Sequence, residues 1–218
     1  MKTKEIIIWF VVIAVLIGGL WLLINAANAP LTPPPPAEIQ NVPPVSKTDF
    51  IRGNPNAKIT LIEYADFQCP ACAAMHSTIK QLEGNFKDNL RLIYRFFPLT
   101  DAHQNAMISA QAAYAASLQG KFWEMHDIIY ENQDSWSDST QPKTIFTDYA
   151  KKIGLNLNKF NSDIDSDSTK KFVSDEQNKG LDLGISGTPT LFLNGKQIQN
   201  PTSYEEFKKL VQDEINKN

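Results

Sequence analysis

The hydrophobic positions change period several times along the chain, and those changes predict its elements. From Ile6 to Ile24 the run "IIIWFVVIAVLIGGLWLLI" carries no charge. As one helix it would be roughly 28 Å long, enough for the hydrocarbon core of a bilayer. Residues 25–48 follow with no periodicity at all and with seven of the thirteen prolines. They predict a semi-rigid polyproline spacer, reaching up to about 75 Å at ~3.1 Å per residue. "KITLIEYADF" (58–67) is rich in β-branched and apolar residues and predicts a buried strand. "ACAAMHSTIKQLEGNF" (71–86) places Met75, Ile79, Leu82 and Phe86 at helical spacing, and "LRLIYRFF" (90–97) predicts a second strand, stopped by Pro98. Strand, helix, strand in that order gives a parallel pair joined by a crossover helix.

Helical spacing then dominates. Helices are predicted at 103–120, 121–132, 142–153, 156–164 and 168–183. The period breaks at "LGISGTPTLFLNGKQI" (183–198), where "TLFL" and "KQI" flank Asn194-Gly195, a hairpin signal. "TSYEEFKKLVQDEINK" (202–217) predicts a closing amphipathic helix with Thr202 or Ser203 as its N-cap. The fold class is therefore α/β: a β-α-β / β-β-α domain over 49–218, with a helical insertion of about 102–183.

Charge locates the chain. Lys2 and Lys4 precede the apolar run and the next basic residue is Lys47. The positive-inside bias keeps residues 1–5 cytoplasmic and sends everything after Ile24 outward. "ANA" at 27–29 resembles a signal-peptidase site. The run exceeds the roughly 7–15 residues of a signal core, however, and Pro30 follows the cut, so the expectation is an uncleaved single-pass anchor at 6–24. A net charge of -3 gives no basic footprint for nucleic acid.

The only two cysteines are Cys69 and Cys72. Two thiols so close form a metal clip, a staple or a redox reagent. A disulfide closing so small a loop removes little unfolded-state entropy, which argues against a staple. Cys69, Cys72 and His76 would make three metal ligands where a structural zinc site needs four, and His76 is expected on the helix surface. Cys69 falls at a helix N-terminus, where unpaired N–H groups and the macrodipole favour a thiolate. Pro70 suits the first helical turn. Cys69 is thus the candidate nucleophile and Cys72 the resolving thiol. "DIDSDS" (163–168) mimics the start of a calcium loop, but Ser168 and Ser174 stand where glycine and glutamate are needed. "NPT" (200–202) fails as a sequon. Phe122, Trp123 and Met125 are expected in the core, and Trp136 docked on a helix rather than edging a substrate surface.

With "EYADFQCPAC", "RFFPL", "GKFWEMHD" and "GTPTLFLNG" in place, the chain resembles the DsbA-like thioredoxin-fold disulfide oxidoreductases, in particular their membrane-anchored bacterial subgroup. The resemblance implies that Pro189 is the family's cis-proline beside the CxxC. It implies that Thr188, just before it, offers its backbone to an extended substrate strand, and that Glu63 is a buried acid relaying the proton of Cys72. Asp66 is expected to be a turn residue. The strongly oxidising members carry histidine before the second cysteine where this chain has Ala71, which implies a less acidic Cys69. The implied activity is oxidation of exported proteins with free thiols, on the outer side of the membrane, without a cofactor or metal of its own. A membrane quinone-linked partner of the DsbB or vitamin-K-epoxide-reductase type would reoxidise the pair. The alternatives are a reductase or isomerase using the same thiols, and a non-enzymatic metal chaperone or binding module.

Overall fold

The computed structural model describes residues 9, 12–21, 39 and 42–217. They fall in two units, 1–37 and 38–218. In the first, residues 12–21 are helical. The remainder of the anchor expected at 6–24 lies outside the described residues, apart from the helical Trp9. Among the described residues no helix is long and apolar enough to cross a membrane.

The second unit is built on a five-stranded sheet in the order β1-β3-β2-β4-β5. β2 (Ile59–Ala65) and β3 (Leu90–Phe96) run parallel, joined through α1 (Pro70–Asn85) as the sequence predicts. β4 (Thr190–Leu193) pairs antiparallel with β2, and β5 (Lys196–Ile198) with β4. Their turn places Asn194 at φ 47° and Gly195 at φ 85°, the left-handed pair such hairpins require. The insertion holds α2 (Ala106–Ser117), α3 (Phe122–Glu131), α4 (Gln133–Trp136), α5 (Pro142–Lys152), α6 (Leu157–Ile164) and α7 (Asp167–Asp182), and α8 (Tyr204–Lys217) closes the chain. Ser203 caps α8: its Oγ accepts from the Glu206 N–H at 3.2 Å, while the Glu206 carboxylate accepts from the Thr202 N–H at 2.8 Å.

Alternation along β2 and β3 sorts the core into two faces. Leu61, Leu92 and Leu191 face α1 and α8, and Tyr94 and Phe96 face the insertion. Ile62, Ile93, Phe97 and Phe192 face the other way. There α7 comes so close that a Cβ on Gly180 would meet the Phe97 ring at 2.5 Å. Both faces of β2 are covered, and all seven of its residues are buried.

Two features were not predicted. β1 (Phe50–Gly53) pairs antiparallel with β3 at the sheet edge; four residues are too few to display a period. The spacer expected over 25–48 also ends early. Residues 25–38, 40 and 41 lie outside the described residues, but Ile39, Val42 and Val45 pack on the Ile62–Phe192 face. The Ile39 N–H donates to Gln197 Oε1 at 2.8 Å. Arg95, almost fully buried, clamps this strap: Nε and Nη2 donate to the two Asp49 oxygens, each at 2.9 Å, and Nη2 to the Pro44 carbonyl at 3.2 Å. The strap belongs to the folded body. A chain starting at Asp49 is expected to be less stable than one starting at Glu38 by about 2–4 kcal/mol, the worth of the three apolar side chains it strips from the sheet. Urea midpoints of the two chains test this; equal midpoints would show that the strap only rests on the surface.

Candidate active site

The buried strand β2 leads straight into the CxxC. At its end Asp66 organises a tight turn. Its Oδ1 accepts from the Gln68 N–H at 2.8 Å, and its Oδ2 from the Leu99 N–H at 3.0 Å and from His103 Nδ1 at 2.6 Å. Asp66 is thus the turn residue expected, though fully buried. Cys69 follows as the N-cap of α1 with Pro70 at the first helical position. Both cysteines are free thiols, Cys69 7% exposed and Cys72 not at all. The Thr188–Pro189 bond is cis, and the Cys69 thiol donates to the Thr188 carbonyl at 3.4 Å. The Pro189 loop is anchored from behind by Asn200, whose Nδ2 donates to the Pro189 carbonyl at 2.8 Å. Beside it lies an open groove of about 280 Å³ between Ala71, Met75, Pro189 and Pro201.

The two thiols are pushed apart electrostatically. Cys69 is lowered to about 5. The Cys72 thiol hydrogen bond is the main cause, opposed by burial and assisted by Thr188 and by the Cys72 and Ala71 N–H groups. Cys72 is pushed well up by burial, then by Cys69 and by the nearby Glu63. Even with Ala71 in place of a cation, Cys69 is an acidic thiol, held so first by Cys72 and then by the N–H groups of the helix N-terminus.

Glu63 lies across from Tyr94 in β3 and Leu191 in β4. It is 2% exposed, and its Oε1 has no hydrogen-bond partner. Burial pushes it up to about 8; Arg52 pulls down, while Glu83 and Cys69 push further up. At neutral pH it holds a proton beside Cys72.

His76 corrects an expectation: it is buried, not on the helix surface. It belongs to an ion-pair cluster that sequence reading missed. Arg52 Nε donates to Glu83 Oε1 at 2.7 Å and Nη1 to Asp127 Oδ1 at 2.7 Å, with its guanidinium 4.4 Å above the Trp123 ring. The same Asp127 oxygen lies 3.2 Å from His76 Nε2 and 2.8 Å from His126 Nδ1. Burial lowers His126 to about 4, so it is neutral. Among the described residues His76, His126 and Asp127 are the group spaced for a metal ion. Arg52 and both imidazoles already converge on Asp127 Oδ1, which makes the cluster a partly exposed network of paired charges.

The other candidates settle into structural roles. Asp163 pairs with Lys159, Asp165 with Lys143 and Asp167 with Lys170, while Ser166 caps α7. Phe122 and Met125 are core residues, and Trp123 Nε1 donates to the Ile51 carbonyl at 3.0 Å. Trp136 is fully buried, with Nε1 donating to the Ile129 carbonyl at 2.9 Å.

A CxxC at the N-terminus of the crossover helix, a cis-proline facing it and a buried acid beneath it make a recognisable combination, and residues 45–213 match the thioredoxin family. The chain belongs to that family. Its fold is that of the DsbA type within it. α-DsbA1 of Wolbachia pipientis superposes with a TM-score of 0.71 at 20% identity, over 79% of this chain and 94% of that one. Oxidised BdbD of Bacillus subtilis gives 0.71 at 20% identity, over 82% and 99%. Among curated sequences, the Na(+)/H(+) antiporter NhaA 1 of Mycolicibacterium gilvum is 37% identical over 176 residues, 78% of this thioredoxin-family chain. The match takes up 27% of that protein. The chain spans about a quarter of the length of the curated relatives it matches, and the antiport in their name is theirs.

Proposed function

We propose that this thioredoxin-family protein is an extracytoplasmic thiol–disulfide oxidoreductase that introduces disulfides into exported proteins. The observation that carries the reading is the opposition of its two thiols, Cys69 held at about 5 and Cys72 pushed well above its ordinary value. A substrate thiolate attacks Sγ of Cys69 in the Cys69–Cys72 disulfide. The S–S bond breaks toward Cys72, which leaves as a thiolate and takes a proton from Glu63. A second substrate thiolate attacks the substrate sulfur of the mixed disulfide and expels Cys69 as a stable thiolate. The substrate gains one disulfide and the enzyme two reduced cysteines. A low pKa at Cys69 favours the reduced enzyme, and so favours oxidation of the substrate. Thr188 and the cis Pro189 border the sulfur where an extended substrate strand would lie.

The apolar run at 6–24 behind Lys2 and Lys4 supports tethering to a membrane with the catalytic unit outside. A quinone-linked membrane protein of the DsbB or vitamin-K-epoxide-reductase type would then reoxidise the pair.

The reduction potential of the Cys69–Cys72 pair, measured in glutathione buffers, tests the reading. A value nearer the ~-120 mV of a strong dithiol oxidase than the ~-270 mV of thioredoxin is expected; one near ~-270 mV makes the protein a reductase. A pair that does not equilibrate with glutathione removes the enzyme reading and leaves a binding module.

A further inference from the structure

Three side-chain amides bolt the redox turn to the helical insertion. Gln68, inside the turn, accepts the Asn105 N–H on Oε1 at 2.6 Å and donates from Nε2 to the Ser137 carbonyl at 2.8 Å. Asn105 Nδ2 donates to the carbonyls of Trp136, Ser137 and Ser139 at 3.1, 2.9 and 2.9 Å. Gln133 completes the set: its Nε2 donates to the Phe67 carbonyl at 2.7 Å and to the Cys69 carbonyl at 3.0 Å. The first two amides are buried, and Gln133 opens α4, the four-residue helix held in place by the fully buried Trp136.

The Cys69 carbonyl thus takes two donors, Gln133 and the Ala73 N–H at 3.1 Å. This carbonyl carbon is three bonds from the reacting sulfur, and its oxygen carries partial negative charge that opposes a thiolate. A neutral N–H on that oxygen offsets the opposition without placing a cation at the site. The same bonds fix the N-cap geometry while the sulfur passes between disulfide, mixed disulfide and thiolate. Preorganised donors of this kind need no rearrangement during reaction.

We propose that Gln133 is a positioning residue for Cys69, and that through it the helical insertion forms part of the exchange machinery. The proposal rests on the oxidoreductase reading. Gln133 does not touch substrate; it acts through the backbone of the nucleophile.

The test is Gln133→Met in the full chain, which keeps the length of the side chain and removes both donors. Thiolate absorbance of the reduced protein is titrated, and exchange with glutathione is followed against pH. Gln177→Met is the matched control, removing an amide that donates to the Pro98 carbonyl at 2.6 Å. We expect the Cys69 titration in Gln133→Met to move up by roughly 0.5–1 pH unit. Expulsion of Cys69 from the mixed disulfide slows with it. Gln177→Met loses comparable thermal stability with its titration unmoved. Should Gln133→Met fail to fold, Gln133→Asn keeps the amide but shortens its reach, and a smaller upward shift is expected. A titration unmoved in whichever Gln133 variant folds overturns the proposal. Wild-type protein that exchanges nothing with glutathione overturns the oxidoreductase reading instead.

Discussion

Cys72→Ala is expected to accumulate as a covalent mixed disulfide with its substrates, reversed by dithiothreitol, while Cys69→Ala forms none. The asymmetry follows from placement as well as from acidity. At pH 7 a thiol near 5 is about 99% thiolate, whereas Cys72, pushed well up by burial, stays almost wholly protonated, which favours Cys69. Intrinsic nucleophilicity falls with pKa and takes back part of that advantage, so acidity alone does not set the asymmetry. Access decides: Cys69 reaches the surface and Cys72 is 0% exposed. The low pKa of Cys69 acts at the other end of the reaction, where this sulfur is the leaving group. In Cys72→Ala that departure still needs an incoming thiol, so a substrate with a single cysteine stays attached. Non-reducing gels of the two variants, mixed with a disulfide-bonded single-cysteine peptide, distinguish them directly. Trapping on Cys72 rather than Cys69 would reverse the assigned roles.

The parts legible in the sequence are those whose signal is local. β2 and β3 are compact runs rich in β-branched and apolar residues, α1 shows a full helical period, and the two cysteines mark the helix start. Resemblance added what spacing does not contain, the cis geometry before Pro189 and the buried position of Glu63. The missed parts are defined by distant partners. β1 exists through pairing with β3 about forty residues on, and the strap through Arg95 and Gln197. Gln133 holds the turn at Cys69 from 64 residues away, inside a polar stretch with no period to notice. His76 went astray for a related reason. Helical spacing puts it next to Met75 and Ile79 on the inward face, but an imidazole is buried only with a polar partner, and Asp127 is 51 residues away.

Glu63→Gln is expected to stabilise the protein in alkaline solution and to slow the reaction. Glu63 titrates near 8 in the folded protein against an ordinary 4.5. The folded state therefore binds the proton more tightly than the unfolded chain does. Between those two values the unfolded state has lost its proton while the folded state keeps it, so this residue makes stability fall as pH rises from about 4.5 to about 8. The whole loss is on the order of 5 kcal/mol and is complete above pH 8, where a charge must be buried. The amide variant would carry no such charge, so wild type and variant should be about equally stable near pH 4 and differ by several kcal/mol at pH 9. The groups around the carboxyl remain in both proteins: Arg52 on β1, Tyr94 on β3, Cys69, Cys72 and Glu83 on or beside α1, and Tyr130 on α3. Their contributions largely cancel in the comparison. The kinetic effect has the opposite sign. Cys72 is a poor leaving group unless it is protonated as the S–S bond breaks, and the neutral Glu63 carboxyl is the acid beside it. Without that acid, substrate oxidation at pH 7 is expected to slow by about a hundredfold. Divided by the substrate's own thiolate fraction, which rises over the same range, the wild-type rate should decline as pH rises through about 8, where Glu63 loses its proton; in the variant that decline should vanish. Urea denaturation at pH 4, 7 and 9, with stopped-flow oxidation of a dithiol peptide, measures both. A variant more stable at pH 9 but unimpaired in rate would make Glu63 a buried acid with no part in the chemistry.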